Sequence, residues 1–251
     1  MIRSFFSRIA RKIFCDYSHE KNFILNEAVN FDKRCIFVAI PKTGSTTVRV
    51  QIREPGDALI PNPHLDILQI RDTLYAFLLR ETLGKNETFP NPDVPTNADV
   101  RKRAEEVYQS FFKFAAVRNP WARAVSLYYR NEGVNAVRDI ADRMSFEAFC
   151  EQHLYASDTC RQPTLHENQY DWLCDEDGAL AMDYVYKVEN FETAIDEIYE
   201  RTSGRVSLSN KRLNENPQSP SSNYRECYTQ RTRRLIAERF EKDIETFGYT
   251  F

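Results

Sequence analysis

Residues 34–47 read RCIFVAIPKTGSTT. The run from Cys35 to Ile40 is continuously apolar and stops at Pro41, the pattern of a short strand buried on both faces of a sheet. The polar stretch Pro41-Lys42-Thr43-Gly44-Ser45-Thr46-Thr47 follows and leads into a helix-like segment, TTVRVQIRE. Strand, tight loop and helix in that order form the first unit of an alternating α/β chain. Glycine is scarce, 7 in 251 residues, so its place inside this loop is informative. Gly44 lets the backbone come close to an oxyanion. The first-turn N–H groups of the helix and its dipole converge on the same point. Ser45, Thr46 and Thr47 add hydroxyl donors, and Lys42 adds a mobile positive charge. The segment reads as a phosphate-type anion loop, and a plain polar strand-to-helix turn is the alternative.

It is not the usual nucleoside-triphosphate loop. That pattern places Lys directly after a second Gly, whereas Lys42 precedes the loop's single Gly and no Gly lies upstream in it. A second motif begins at residue 111. FFKFAAV (111–117) is another buried-strand run, followed by Arg118, Asn119 and Pro120. Asn119 suits a helix N-cap and Pro120 the first helical position. Arg118 then stands at the C-terminal end of a strand, where open α/β sheets bind ligands. In the ensuing helix Trp121, Val125 and Tyr128 share one face, and Arg123, Ser126 and Arg130 another. Arg118 and Ser126 together can clamp a phosphate. The alternative leaves Arg118 paired with a carboxylate and Ser126 as surface filler.

The remaining pattern supports one architecture. Helices are expected from Asp66 to Leu83, from Ala98 to Gln109 and from Ser145 to Leu154, and a third strand over Asp183 to Val188. A helix starting at Asn190 and a last one from Tyr228 to Phe247 complete the chain. The segments 85–95 and 203–224 read as loops. The fold expected is a single α/β domain of the phosphate-loop kind, with a central, mostly parallel sheet flanked by helices on both faces. Residues 1–30 are expected to form an N-terminal extension and residues 31–251 the main domain. Within the extension, residues 1–15 set Arg3, Arg8, Arg11 and Lys12 against Ile2, Phe5, Phe6, Ile9, Ile13 and Phe14. That is a basic amphipathic helix, suited to docking on the domain or to weak contact with an anionic membrane surface. It has neither the apolar core of a signal peptide nor the length of a membrane span, and a cytoplasmic protein is expected.

Composition excludes other classes. Hydrophobic residues make up 42% of the chain, too many for disorder. The formal net charge of −3 argues against a nucleic-acid partner, so any anion site is local. The six cysteines, Cys15, Cys35, Cys150, Cys160, Cys174 and Cys227, contain no C-x-x-C pair. No metal site is expected, and the cysteines read as free thiols.

Taken as a pair, PKTGSTT and FAAVRNPWARAVSLYY resemble the 5′-phosphosulfate loop and the 3′-phosphate motif of sulfotransferases that use 3′-phosphoadenosine 5′-phosphosulfate (PAPS), in the form of the carbohydrate sulfotransferase branch. NQYDWL (168–173), DYVYKVENF (183–191) and DIETFGY (243–249) resemble that branch as well. The resemblance implies that Lys42, Thr43, Gly44, Ser45, Thr46 and Thr47 hold the 5′-phosphosulfate of PAPS, and Arg118 and Ser126 its 3′-phosphate. PAP is the product, and no metal takes part. It implies further donor contacts in a region containing Arg205, Asn210, Lys211, Arg212 and Asn214. The acceptor is then a glycan or another hydroxyl-bearing molecule.

Sulfuryl transfer by in-line displacement needs charge stabilisation at the leaving oxygen, a role for Lys42, and a general base for the acceptor hydroxyl. His64, in PNPHLD between two helices, is the first candidate base. His166 and Glu54 are alternatives. Glu189 is read as a structural carboxylate at a helix N-terminus. The aromatics Tyr128, Tyr129, Tyr155, Tyr170 and Trp172 are candidates to line an acceptor cleft. Two competing functions remain open: another phosphate-loop enzyme, such as a small-molecule kinase requiring Mg²⁺ and ATP, and an inactive PAP-binding scaffold. Asn86-Glu87-Thr88 matches a glycosylation triplet and carries little weight.

Overall fold

The computed structural model describes residues 27–53, 63–84, 96–129, 144–153, 167–211 and 220–251. The amphipathic N-terminal segment, the glycosylation triplet, Glu54, Arg130, Tyr155 and His166 lie outside them, as do Arg212 and Asn214.

Four strands make the sheet among the described residues: β1 (Val29–Asn30), β2 (Cys35–Val38), β3 (Phe112–Val117) and β4 (Tyr184–Lys187), in spatial order β1-β2-β3-β4. The β2–β3 and β3–β4 pairs are parallel; only β1, at the edge, runs antiparallel. The fold is therefore mixed α/β with a mostly parallel sheet, as the alternating pattern predicts. β1 falls within the stretch 1–30 read as an extension, because a two-residue strand carries no period to detect.

Between the strands run α1 (Ser45–Ile52), α2 (Ile67–Gly84), α3 (Asn97–Ser110), α4 (Pro120–Tyr128) and the short α5 (Phe146–Ala148), and after β4 come α6 (Phe191–Arg201), α7 (Gln230–Arg239) and α8 (Glu241–Phe247). Local chemistry sets their ends. Thr96 and Asp99 form a reciprocal capping box at the start of α3, with Thr96 Oγ1 accepting from the Asp99 N–H and Asp99 Oδ2 from the Thr96 N–H. Asn119 caps α4 by accepting from the Trp121 and Ala122 N–H groups, with Pro120 at the first position.

Strand alternation divides the core in two. Phe37, Phe114, Ala116 and Tyr186 face Val48 and Ile52 of α1 and Phe191, Ala194 and Ile198 of α6. Ile36, Val38, Ala115 and Val117 face Ile70, Leu74 and Phe77 of α2, Val107 of α3, and Ala124 and Val125 of α4. Helices thus cover both faces. The fully buried Phe37 and Phe114 rings lie 5.0 Å apart; burying each contributes roughly 1.5–3 kcal/mol.

Three details depart from the sequence reading. The stretch 145–154 starts as α5 and continues as a π-helical turn over Phe149–His153. The single last helix expected from Tyr228 to Phe247 is two helices, broken at Phe240, whose φ/ψ of −117°/32° leaves the helical region. The break puts the Phe240 ring in the core, 1% exposed, and beneath the Arg123 guanidinium, 5.8 Å away. The apolar period runs on across the break, so the pattern alone does not reveal it. The third departure concerns Arg123 itself. Expected on a polar face with Ser126, it is 1% exposed.

Candidate active site

The sheet ends its parallel strands together. Val38 pairs with Ala115, and Val117 with Lys187. The segments that leave β2, β3 and β4 therefore start at one edge: Pro41–Gly44, Arg118–Asn119 and Val188–Glu189.

The first of these segments is strained. Lys42 has φ +67° and Gly44 φ +75°. A left-handed residue with a side chain costs about 1–2 kcal/mol, so the Lys42 conformation is imposed by its surroundings. Thr43 between them is 1% exposed and its hydroxyl donates back to the Ile40 carbonyl at 2.9 Å. That bond folds the loop and commits the Thr43 hydroxyl, leaving its backbone as the part suited to a ligand. Gly44 is the N-cap of α1 and supplies no side-chain cap. A Cβ at position 44 would come within 3.1 Å of the Val188 side chain. The tight space and the positive φ together explain the glycine. Ser45 and Thr47 are buried and Thr46 is half-buried.

The second segment reaches the first directly. Arg118 Nη1 donates to the Lys42 carbonyl at 3.2 Å, which brings the two sequence motifs together. Ser126, two turns into α4, is half-buried. Arg123 works underneath. Its Nε donates to the Pro41 carbonyl at 3.2 Å and its Nη1 to the Glu167 carbonyl at 3.3 Å. Burial lowers its pKa to about 10, opposed by the nearby carboxylates of Asp243 and Glu167, so it remains a cation at neutral pH. It fastens the loop from below.

The third segment closes the edge. Glu189 Oε1 accepts from the Asn119 N–H at 2.8 Å, and Tyr249 Oη donates to Glu189 Oε2 at 3.4 Å. Burial, followed by the Glu189 charge, pushes the Tyr249 hydroxyl pKa well up, so it stays a donor. Asn119 Nδ2 also donates to the Thr250 carbonyl at 2.9 Å. Glu189 therefore serves a structural end, at the N-terminus of α4 and not of the helix it precedes.

His64 sits at the root of the loop. Its Nδ1 lies 2.5 Å from the Ala39 carbonyl oxygen. A carbonyl only accepts, so Nδ1 carries the proton and the acceptor lone pair of the neutral ring is on Nε2. Trp172 meets the ring edge-on, with centroids 6.5 Å apart. Trp172 is 4% exposed, and its Nε1–H makes no hydrogen bond within the protein, an orphaned donor beside the histidine. Of the other aromatic candidates, Tyr128 is a core residue that donates to the Met144 carbonyl and packs on Phe146 and Phe149. Tyr129 packs edge-on against it, and Tyr170 donates to the Gly178 carbonyl.

The polar region before the last helices runs beside α1. Ser209 donates from its N–H (2.6 Å) and its hydroxyl (2.9 Å) to Gln51 Oε1. Asn210 donates to the Glu192 carboxylate, while Arg205 and Lys211 are exposed. Among the described residues no three His, Cys, Asp or Glu side chains gather as a metal-holding group, and no helix is long and apolar enough to cross a membrane.

Sequence reasoning did not assign roles to Gln169 and Asp243. Both are fully buried and hydrogen-bonded to each other. The hint was available: each lies in a quoted motif, as a polar residue among apolar neighbours.

A strained, glycine-opened loop at a helix N-terminus, an arginine bonded across to it and a tautomer-fixed histidine at its root can hold an anionic group and take a proton beside it. The profile of the sulfotransferase family matches residues 26–250. Comparisons with curated proteins and with solved structures give no match.

Proposed function

The chain belongs to the sulfotransferase family, and within it we propose an enzyme that moves a sulfuryl group from PAPS to a hydroxyl of a carbohydrate. The observation that carries this reading is the 3.2 Å bond from Arg118 Nη1 to the Lys42 carbonyl. It joins a loop suited to a phosphosulfate with a cation suited to a second phosphate, two anion subsites at one sheet edge. The residues fit such a donor. α1 starts without a side-chain cap, and Gly44 is exposed, with no side chain to cover the backbone N–H groups that follow it. PAPS supplies the activated sulfuryl group. Lys42 neutralises charge at the leaving oxygen, and the backbone of residues 43–45 with the hydroxyls of Ser45, Thr46 and Thr47 holds the 5′ end. Arg118 and Ser126 hold the 3′-phosphate. His64, protonated at Nδ1 through Ala39, takes the acceptor proton at Nε2.

Calorimetric titration with PAP tests the donor half. Binding is expected without Mg²⁺ and in preference to ATP. Arg118→Ala should weaken it about 10- to 100-fold, the range for losing a charge-assisted hydrogen bond. Indifference to PAP, or a preference for Mg·ATP, would sink the proposal. The base has its own signature. His64→Ala should lower kcat about 10²- to 10⁴-fold on an acceptor found by screening glycans, with PAP affinity unchanged. Full turnover in that variant would remove His64 from the mechanism.

A further inference from the structure

We propose that Gln169 is a positioning residue that makes the site selective for a 3′-phosphate by clasping the backbone of Arg118; the inference rests on the assignment of Arg118 to that phosphate. The β3–β4 ladder ends at the pair Val117–Lys187, so Arg118, one residue further on, lies past its last pair. Gln169 takes over there. Its Oε1 accepts from the Arg118 N–H at 2.8 Å, and its Nε2 donates to the Arg118 carbonyl at 2.8 Å. The side-chain amide thus acts as one more peptide unit of the sheet. It fixes the φ/ψ pair from which the guanidinium reaches across to Lys42.

The amide itself is held in one orientation. Asp243 Oδ2 accepts from Gln169 Nε2 at 3.1 Å and from the Gln169 N–H at 2.8 Å, while Asp243 Oδ1 accepts from the Tyr170 N–H at 2.9 Å. Both hydrogens of the Gln169 amide then have acceptors and its oxygen faces a donor. A flipped amide would set its NH₂ against the Arg118 N–H and its oxygen against a carboxylate. Gln169 and Asp243 are both 0% exposed, so water cannot substitute. An arginine on a half-buried turn loses rotational and backbone freedom when it binds an anion. Clasping the backbone beforehand removes part of that cost, and the gain falls on whichever anion Arg118 contacts.

The test compares affinities for PAP and for adenosine 5′-monophosphate, which lacks the 3′-phosphate, in wild type, Arg118→Ala, Gln169→Ala and the double variant. In Gln169→Ala the ratio of the two affinities should fall about tenfold, with AMP affinity held. The double variant should show no lower ratio than Arg118→Ala alone, because both act through one contact. A purely structural role would weaken both ligands alike and leave the ratio at the wild-type value, which overturns the proposal. If Arg118→Ala itself leaves the ratio unchanged, the 3′-phosphate assignment fails and the inference with it. If Arg118→Ala collapses the ratio and Gln169→Ala does not, only the inference fails. Gln169→Met keeps the buried volume should the alanine variant not fold, and the same fall in ratio is expected of it. Amide exchange in wild type needs no variant: the Arg118 N–H should be protected without ligand and with PAP alike, and rapid exchange without ligand would overturn the clasp.

Discussion

Replacing Lys42 by alanine is expected to lower sulfuryl transfer by about 10³-fold or more. Losing a neutral oxyanion donor costs about 10²- to 10³-fold in turnover, and a charged donor is roughly twice as strong. The backbone gives this prediction a second arm. Lys42 sits at φ +67°, a conformation that glycine adopts without strain. Lys42→Gly should therefore be as inactive as Lys42→Ala and yet about 1 kcal/mol more stable than the alanine variant. Turnover of labelled PAPS on a screened glycan acceptor, beside urea melts, reads both arms. A Lys42→Ala enzyme with more than a tenth of wild-type activity would show that the leaving group is stabilised elsewhere. If the glycine variant is no more stable than the alanine one, the loop is not under the strain its dihedral indicates.

Arg123→Met is expected to destabilise the protein by about 3–5 kcal/mol, the cost of removing one partner from a buried charge network. Arg123 is 1% exposed and donates to the Pro41 and Glu167 carbonyls. Its positive charge offsets the burial that raises the pKa of the Asp243 carboxyl. Methionine fills most of the volume, so the loss isolates the electrostatics and the two carbonyls left without a donor. Arg123→Lys should recover only part, since an ammonium lacks the planar fork that spans both carbonyls. Denaturant melts give the number, and a change below 1 kcal/mol would mean that the network contributes little. The expected contrast with Arg118 is sharp. Arg118→Ala acts on ligand affinity, Arg123→Met on the folded state.

These two arginines also show where the sequence is legible. Arg118 is readable because FFKFAAV carries no alternation to confuse and its end is marked by Asn-Pro, so the position of the next polar side chain follows. Arg123 is not. A helical wheel assigns a charged residue to the solvent face, and only the tertiary placement of two backbone carbonyls draws this one inward. The strand-to-helix loop at residues 41–44 is marked by its neighbours, an apolar run before it and a helical segment after it. The tautomer of His64 is not marked in this way, because its partner, the Ala39 carbonyl, is 25 residues away. The Gln169–Asp243 pair spans 74 residues, and no local period encodes it. The break at Phe240 is hidden for a related reason. The apolar spacing satisfies one helix and two equally well, and the ring's place in the core decides.

The tie between Asn119 and Thr250 joins residues 131 apart in sequence, and the Glu189–Tyr249 contact spans 60. On the ribosome, the strands and the loop that carry Lys42 and Arg118 are made long before residues 243–250 emerge. This edge of the sheet therefore stays unfinished through most of synthesis, and the Arg123 charge lacks its Asp243 neighbour until the end. Loop-closure entropy makes contacts of this span late and slow to form. A nascent chain lacking those last residues would have the motifs of this edge without its assembled geometry, which is complete only once translation has passed them.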